Sequence, residues 1–498
     1  MLTSNSTEEK KTLRWGDLGH GYYQNPVLNA DYSDPDIVRV GDNFYMVCSE
    51  FHYMGIPVLH SKDLVNWTII GQVYNRLDID PQYNSMEKYA KGSWAPAIRY
   101  HEGRFYVYFC TPDEGLYMST AENPAGPWTP LYEVKRVPGW EDPCPFWDDD
   151  GTAYLGHSIL GAGPIIIHKM SPDGKTLLDD GVIVYIGKIA EGTKIYKRNG
   201  YYYLVIPEGG VEIGWQVVLR SKNIYGPYER RVVLQKGATA INGPHQGGLV
   251  ELDSGESWFM HFQSTGVLGR VCHLQPVRWV EDWPVMGVSG EPVSVYRKPD
   301  VGRTFPKCLP QSSDEFDGPD LGLQWQWNHN PVDENWSLTE RPGYLRLKAM
   351  PASDIMSARN TITQKLMGSR GVISTEMSTE NMIPGQVAGL TYLCGRDINW
   401  IGVVKDEEGC WLKAVTAGTV YHGPELGNGT VWLGSELNVE GSTHFSFSMD
   451  GAGFVPFGEE CKMGGGFWKG ARIGLFNYNC TGSGGYADFN WFRYKIEA

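Results

Sequence analysis

The N-terminal part of the chain, up to about position 300, repeats one pattern of hydrophobic and polar positions five times. Each copy begins with a short apolar run, passes through a tight polar turn such as Asn-Gly or Asp-Gly, and continues into an aromatic run. Alternating apolar runs around such turns are typical of β-hairpins. The copies span positions 34–45, 95–106, 142–154, 191–202 and 245–259.

The spacing of these copies, from 34 to 95, 142, 191 and 245, indicates the fold. A β-rich repeat of about 40–60 residues is typical of propeller blades. We therefore predict a five-bladed β-propeller over residues 17–305. The alternative is a β-sandwich whose hairpins merely look alike. Five copies that place the turn at the same position argue against that alternative.

The pattern changes around residues 290–318, where a proline-punctuated stretch is typical of a linker. Beyond it, apolar and polar positions alternate at shorter spacing between glycine-rich joints, for example over 372–377, 400–404 and 471–478. This pattern predicts a β-sandwich of jelly-roll type over residues 312–498. The predicted fold class is therefore all-β.

Composition narrows the kind of partner. The chain has 17 Phe, 18 Trp and 28 Tyr, and its 61 Gly and 30 Pro leave little room for long helices. The formal net charge of −15 excludes a phosphate-backbone partner, because binding nucleic acid needs clustered Lys and Arg. We expect a neutral partner and no nucleic acid.

The sequence also bears on the compartment. No stretch approaches the ~18 consecutive apolar residues of a membrane span, so we expect no membrane partner. The N-terminal residues carry charges without an apolar core behind them, so we expect no signal peptide. The nine cysteines are odd in number and form no CxxC pair. Together these features predict a cytoplasmic location.

Acidic residues recur at one position of the repeat. Aligning the five copies on their turns places Asp34, Asp142, Glu191 and His245 near equivalent positions at the start of each first strand. In a propeller such positions converge on one central pocket, where three carboxylates would be costly to bury without a purpose. A single Asp before Pro more often initiates a turn, but that explanation does not account for three acids at the same position of the repeat.

Such a cluster suits the hydrolysis of a glycosidic bond. One carboxylic acid protonates the leaving oxygen while another activates water or attacks directly, and a third acid raises the pKa of the proton donor. Three aromatic residues lie in segments that feed the same end of the predicted propeller, and they could stack on a sugar ring: Phe51, Trp94 and Trp215. Each alone is more often a core residue.

These residues carry a family resemblance that covers most of the chain beyond His20. The predicted propeller region resembles glycoside hydrolase family 43, a family of five-bladed propellers that includes inverting β-xylosidases, α-L-arabinofuranosidases and arabinanases. The C-terminal half resembles the sandwich domain that exo-acting members carry. The matching motifs are Asn25-Pro-Val, Asp34-Pro-Asp, Ser93-Trp-Ala-Pro, Asp142-Pro, Glu191-Gly, His245-Gln-Gly-Gly, Gly269-Arg270 and Gln275-Pro-Val-Arg-Trp279.

The resemblance implies a role for each matched residue. Asp34 is implied as the general base that activates water, Asp142 as the acid that tunes and orients its neighbour, and Glu191 as the general acid. Arg270 is implied as the cation that contacts the carboxylates or the substrate. His245 is implied as the axial histidine that helps to hold a divalent cation, usually calcium through water.

One departure from the family pattern leaves the sugar open. Many β-xylosidases of the family have a histidine after a Glu-Gly-Gly segment, whereas here the segment that begins at Glu208 leads to Trp215. We count both residues among the predicted substrate-binding groups. In this segment the sequence resembles a branch of the family that contains both β-xylosidases and α-L-arabinofuranosidases.

The sequence thus predicts an exo-acting, inverting glycosidase that releases terminal D-xylose, L-arabinofuranose or both from hemicellulose oligosaccharides. Two alternatives remain: an arabinanase, which needs an open groove, and a non-catalytic carbohydrate-binding propeller. No P-loop, HExxH or Gly-x-Ser-x-Gly motif is present, and we expect no organic cofactor. The preferred pentose, the linkage, the need for a metal, the role of the sandwich and the oligomeric state stay open.

Overall fold

The structure is a computed structural model that describes residues 15–427, 429–466 and 468–497. It is built from β-strands, which confirms the all-β prediction. The helices of the described ranges are four short 3-10 turns: Pro81–Asn84, Met86–Lys88, Gly266–Leu268 and Asp333–Asn335. No helix in those ranges is long and apolar enough to cross a membrane.

The N-terminal part of the chain forms five four-stranded antiparallel sheets, and in each the strands follow one another in chain order. Two short strands, β1 (Asp17–Gly19) and β2 (Tyr22–Gln24), precede them. The first two sheets are formed by β3 (Asp36–Val40), β4 (Asn43–Val47), β5 (Pro57–Ser61), β6 (Trp67–Gln72), and by β7 (Trp94–His101), β8 (Arg104–Thr111), β9 (Gly115–Ala121), β10 (Tyr132–Arg136).

The other three sheets have the same strand order. Their strands are β11 (Trp140–Trp147), β12 (Ala153–Ile159), β13 (Ile165–Met170), β14 (Val182–Tyr185), then β15 (Lys194–Arg198), β16 (Tyr201–Glu208), β17 (Trp215–Ser221), β18 (Glu229–Leu234), and β19 (His245–Glu251), β20 (Ser257–Ser264), β21 (Arg270–Val280), β22 (Trp283–Met286). A further strand, β23 (Val295–Arg297), pairs with β2 and so joins the end of this region to its beginning.

The turn chemistry of the sequence explains the hairpins. In the fourth sheet, Asn199 and Gly200 have φ values of 49° and 71°, and they form the two-residue turn that pairs Arg198 with Tyr201. Asn and Gly tolerate this left-handed conformation, which matches the twist of the flanking strands. A second two-residue turn, Glu102-Gly103, joins β7 to β8 in the same way.

The first strands of the sheets lie against one another. β3 contacts β7 and β19, β7 contacts β11, and β11 contacts β15, whereas β19 contacts β16 of the fourth sheet. The fifth sheet therefore returns to the first, and the starts of the first strands lie around one centre. This arrangement brings the repeated sequence positions together.

The C-terminal part contains two large, mostly antiparallel sheets. One has the order β24-β28-β37-β30-β31-β32-β33, with β27 parallel to β37, and the other has the order β25-β26-β38-β29-β34-β35-β36. The strands are β24 (Gln326–Trp327), β25 (Trp336–Ser337), β26 (Leu345–Lys348), β27 (Met350–Pro351), β28 (Thr361–Lys365), β29 (Arg370–Ser378), β30 (Gln386–Cys394), β31 (Asp397–Lys405), β32 (Cys410–Thr416), β33 (Thr419–Leu426), β34 (Thr430–Asn438), β35 (His444–Ser448), β36 (Val455–Pro456), β37 (Arg472–Asn479) and β38 (Tyr486–Glu497).

The two parts share a core. One cluster of buried apolar side chains runs from Tyr23 and Trp67 in the first part to Ile362 and Leu475 in the second. Removing such side chains from water stabilises folding by about 25 cal/mol per Å² of apolar surface. The predicted boundaries at 305 and 312 lie between β23 and β24, in a stretch without regular strands among the described residues.

Candidate active site

A cavity of about 580 Å³ opens where the first strands of the five sheets begin. This volume is in the range of small-molecule sites. Seven of the nine predicted site residues line it: Asp34, Phe51, Trp94, Asp142, Glu191, His245 and Arg270. The other lining residues are Ala90, Lys91, Ala95, Pro112, Glu141, Leu160, Gly161, Val211, Gln246 and Trp468.

A left-handed residue recurs where each sheet begins, and it explains how the side chains reach the cavity. The φ values are 52° at Asp34, 40° at Ala95, 56° at Asp142, 60° at Gly192 and 34° at Gln246. The register also shifts at the start of β7, β11 and β19. Bulges of this kind re-aim side chains at the end of a strand and are common next to active sites.

The carboxylate of Asp34 is held at both oxygens. Arg270 Nη1 donates to Oδ1 at 2.8 Å, and the Ser49 hydroxyl donates to Oδ2 at 2.6 Å. Ser49 in turn accepts from the backbone N–H of Ala95 at 2.7 Å. Asp34 is therefore a buried carboxylate that is held in one orientation beside a cationic partner.

Asp142 accepts hydrogen bonds from three groups in a buried position. The backbone N–H of Gly192 donates to Oδ2 at 2.7 Å, Ser158 donates to the same oxygen at 3.1 Å, and Gln246 donates to Oδ1 at 3.1 Å. Burial, together with the nearby Glu191 carboxylate, raises the pKa of Asp142 to about 6. This carboxyl group changes charge near neutral pH.

Glu191 lies beside His245. The distance from His245 Nε2 to Glu191 Oε1 is 2.8 Å. Burial disfavours the charged form of Glu191, but the hydrogen bond and charge of His245 and the positive charge of Arg270 outweigh it, so the pKa of Glu191 lies below its usual value. In the free protein the proton of this acid cluster therefore resides on neighbouring carboxyl groups.

An aromatic wall closes one side of the cavity. The rings of Phe51 and Trp94 lie edge to face with centroids 5.2 Å apart, and Trp468 lies 5.0 Å from Trp94. Trp468 belongs to the C-terminal part, so both parts of the chain build the cavity. Aromatic faces of this kind can pack on the apolar face of a sugar ring.

Two predicted substrate-binding residues, Glu208 and Trp215, do not line this cavity. Tyr185 donates to Glu208 at 2.5 Å, Trp215 Nε1 donates to it at 3.2 Å, and Arg230 forms an ion pair with it. Because these contacts occupy both oxygens, Glu208 ties β14, β16, β17 and β18 together. Val211, in the turn between Glu208 and Trp215, reaches the cavity instead.

Among the ten lining residues that the sequence did not predict, Glu141 adds a buried carboxyl group and Trp468 adds an aromatic ring. A signal for Glu141 was present, because it precedes the left-handed residue of its sheet as Trp94, Glu191 and His245 precede theirs. Trp468 had no such signal, since it comes from the other part of the chain.

The predicted cation can be tested against the atoms at His245. Its Nδ1 is buried without a hydrogen-bond partner in the structure, so one imidazole lone pair is available when Nε2–H faces Glu191. Within the described ranges, His245 belongs to no group of three possible ligands. The three carboxyl groups that do cluster include two with raised pKa values, and protonated carboxyls are poor ligands. The atoms fit a cation held by His245 through water.

Comparisons with known proteins agree with this site. Residues 23–284 match the model of glycosyl hydrolases family 43, and residues 313–495 match that of the beta xylosidase C-terminal concanavalin A-like domain. The chain is 53% identical to a putative beta-xylosidase of Xylanibacter ruminicola over 94% of this chain and 88% of the relative. It is 37% identical to a beta-xylosidase of Formosa agariphila, with 100% and 96% covered.

A solved structure shows the same fold. The chain superposes on xylan beta-1,4-xylosidase from Bacillus halodurans C-125 with a TM-score of 0.86 and 27% identity, over 95% of this chain and 100% of the other. The resemblance inferred from the motifs is thus confirmed for both parts of the chain. The protein is a glycoside hydrolase, and it belongs to glycosyl hydrolases family 43.

Proposed function

We propose that the protein is an exo-acting, inverting glycosidase that releases terminal D-xylose from xylan or arabinoxylan oligosaccharides. The observation that carries the proposal is one aromatic-walled cavity into which Asp34, Asp142 and Glu191 converge, in a chain similar over nearly its full length to proteins named beta-xylosidase. Terminal L-arabinofuranose is the second candidate sugar, because it presents similar oxygens at the bond that breaks.

In this mechanism Asp34 acts on the attacking water and Glu191 acts on the leaving group. Asp34 removes a proton from the water that attacks the anomeric carbon, and Glu191 protonates the departing oxygen. The hydrogen bonds from Arg270 and Ser49 hold the carboxylate of Asp34 in one orientation. Each proton transfer is needed in the transition state, so each contributes about 10²–10⁴-fold to the rate.

Asp142 tunes the proton donor. Its negative charge disfavours ionisation of Glu191, and its three hydrogen bonds fix it beside Gly192, the residue that follows Glu191. A sugar in the cavity excludes water and so adds to the burial of Glu191. This extra burial raises the pKa of Glu191 and so favours its protonated form before the bond breaks.

The cavity wall supports exo action. Trp468 of the C-terminal part stands against Trp94 and Phe51 on one side of the acids. A wall there blocks the continuous groove that an endo-acting arabinanase would need. The cavity volume of about 580 Å³ suits one or two sugar units rather than a long chain.

We also propose that the five sheets are the blades of a five-bladed propeller and that the two C-terminal sheets form a jelly-roll type sandwich. Support comes from the five four-stranded sheets, the contact of β19 with β3 and the family match. The accessory sandwich then has a direct part in the site through Trp468.

A divalent cation such as Ca²⁺ is a separate proposal. His245 would hold it through water on Nδ1, and the ion would supply positive charge that fixes the imidazole against Glu191. Chelation should then lower the melting temperature or the activity, and added Ca²⁺ should restore it. Unchanged values after chelation would exclude an exchangeable cation.

We propose a reducing compartment, the cytoplasm. No disulfide links the nine cysteines of the described ranges, and seven of the nine are buried, where they pack as small apolar groups. Thiol titration of the unfolded, freshly purified protein should find nine reactive groups. Fewer would contradict the proposal.

The catalytic assignment is tested with two variants and two leaving groups. For Glu191→Gln, we expect kcat on xylobiose to fall about 10²–10⁴-fold, with a much smaller loss on dinitrophenyl β-D-xyloside, whose leaving group needs no proton. For Asp34→Asn, we expect equal losses on both substrates. The matched control is Glu122→Gln on the surface, and near-control turnover of Glu191→Gln or Asp34→Asn on xylobiose would contradict the assignment.

A further inference from the structure

Glu141 is a buried acid of the cavity with no role in the mechanism above. It precedes Asp142 in β11, and consecutive side chains of a regular strand point to opposite faces. Here both reach the cavity, because Asp142 is left-handed and the ladder with β12 shifts register between Glu141 and Cys144. This backbone irregularity therefore aims a second acid at the site.

The contacts of Glu141 leave one oxygen for a ligand. Oε1 accepts from the backbone N–H of Ala162 at 3.1 Å. None of the hydrogen bonds among the described residues reaches Oε2. Each of Glu141, Asp142 and Glu191 offers a carboxylate oxygen, and these lie within 4.8 Å of one another, so Glu141 stands beside the reacting groups.

We propose that Glu141 is a further substrate-binding residue, which forms a hydrogen bond through Oε2 with a hydroxyl group of the sugar in the cavity. This assignment rests on the proposed function of the cavity. It gives the irregular start of β11 a purpose, since a regular strand would turn Glu141 away from the substrate.

The charges around Glu141 indicate which form binds. Burial, then the carboxylates of Asp142 and Glu191, raise the pKa of Glu141 to about 9, so at neutral pH the group is a neutral acid and can donate a hydrogen bond. Above that pH the donor is lost and a negative charge is added beside the other acids. The other titratable or charged groups that face the cavity or lie near Glu141 are Asp34, Lys91, Cys110, His245 and Arg270.

Two variants test the proposal in the full-length protein, with aryl β-D-xyloside and aryl α-L-arabinofuranoside as substrates. Glu141→Ala should lower kcat/KM about 10- to 100-fold, mainly through a higher KM, because a buried hydrogen bond to the sugar is lost. Glu141→Gln retains a neutral donor and should stay within about threefold of the wild type at pH 7. At pH 9.5 to 10, Glu141→Gln should outperform the wild type relative to their values at pH 7.

A purely structural role predicts a different result. If Glu141 only held the backbone at Ala162, Gln would serve equally at every pH, and the pH profiles of Glu141→Gln and the wild type would coincide. Coincident profiles, or a Glu141→Ala variant with wild-type KM and kcat, would overturn the assignment. A wild type that releases neither sugar would instead overturn the proposed function, so the two failures are distinguishable.

Discussion

At the residue scale, two neighbouring carboxyl groups of the cavity have pKa values that are shifted in opposite directions. Asp142 is buried beside the negative charge of Glu191, so its pKa rises to about 6. Glu191 is also buried, but His245 and Arg270 lower its pKa below the usual value. Separation of this kind is how paired carboxyl groups take different roles at one pH. The arrangement has a cost in folding stability that can be measured.

Asp142→Asn should stabilise the protein at neutral pH while it lowers activity. The pKa of Asp142 is 3.8 in the unfolded chain and about 6 in the folded protein. The free energy of unfolding therefore falls as pH rises between these two values, and the destabilisation by the ionised Asp142 is complete above pH 6. The substitution removes that penalty but loses one acceptor, for a net gain of about 1–2 kcal/mol at pH 7.5 and none at pH 3.5. Unfolding curves at both pH values measure the gain.

Asp148→Asn is the matched control with the opposite sign. Although burial opposes it, hydrogen bonds from Lys197 and Tyr202 lower the pKa of Asp148, so its contribution is present above pH 3.8 and lost as pH falls through the folded pKa. We expect this variant to be destabilised at pH 7.5. A loss of stability for Asp142→Asn at pH 7.5 would contradict the assigned environment of that group.

Most residues of the candidate site could be predicted from the sequence, because they recur at nearly the same position in each copy of the repeat. Asp34, Asp142, Glu191 and His245 stand at nearly equivalent positions, and the fold brings them together. Glu208, also predicted to bind substrate, lies outside the cavity lining and forms a buried ion pair with Arg230, because an acid at a strand end can serve either purpose. Contacts between sheets that are distant in sequence decide that choice, and no local pattern records them.

At the element scale, the irregular start of the first strand of each sheet places side chains in the cavity. Four of the five left-handed positions carry a side chain, but the fourth sheet has Gly192, and a Cβ there would lie 2.7 Å from Pro207 Cγ and 2.9 Å from Gln246 Cγ. The glycine lets the chain approach its neighbours closely just after Glu191. It therefore fixes the position of Glu191, the proposed proton donor.

Gly192→Ala should impair catalysis more than stability. The added methyl group displaces the backbone beside Glu191, and a shift of about 1 Å in a reacting group can lower kcat/KM up to about 100-fold. Gly200→Ala is the control, since its φ of 71° is similar but a Cβ there meets only the end of Lys222 at 3.9 Å. The left-handed alanine should cost each variant about 1 kcal/mol of stability, with a further loss for Gly192→Ala from the contact with Pro207, and equal activity of the two variants would contradict this role.

Most strands followed from alternation and turn chemistry, and the exceptions have physical reasons. The predicted segments 372–377, 400–404 and 471–478 fall within or overlap β29, β31 and β37. The strands that the pattern does not predict include β28, a short strand rich in polar residues that is buried in the sheet, and β33, an edge strand that is mostly exposed. Neither strand has the alternation on which the prediction depended.

At the scale of the whole molecule, a buried cluster of charges joins the two parts of the chain behind Asp34, the proposed base. Glu50 of the first part accepts from Arg472 at 2.7 Å, lies 3.1 Å from Lys469 and pairs with Lys365, all from the second part. Lys469 also donates to the carbonyl of Ser49, whose hydroxyl donates to Asp34. The C-terminal part thus supports Ser49, the hydrogen-bond partner of Asp34.

Lys469→Met should destabilise the protein and reduce its activity together. Removing one cation from a buried network leaves Glu50 and Asp31 under-compensated, at a cost of about 3–5 kcal/mol. Lys462→Met is the control, because its ion pair with Asp397 is exposed and is worth at most about 1 kcal/mol. Denaturant unfolding and kcat/KM of the folded fraction measure both effects, and equal stability of the two variants would refute the proposed support.

The central claim is that this cavity breaks a terminal glycosidic bond with inversion, and the anomer of the first product tests it most directly. Proton NMR should follow wild-type protein acting on an aryl β-D-xyloside, whose leaving group is not a sugar, with enough enzyme that hydrolysis outruns mutarotation. We predict that the xylose released from the non-reducing end appears first as the α-anomer and that no internal cleavage of longer xylo-oligosaccharides precedes it. The first appearance of β-xylose, or of longer fragments without the monosaccharide, would contradict the account.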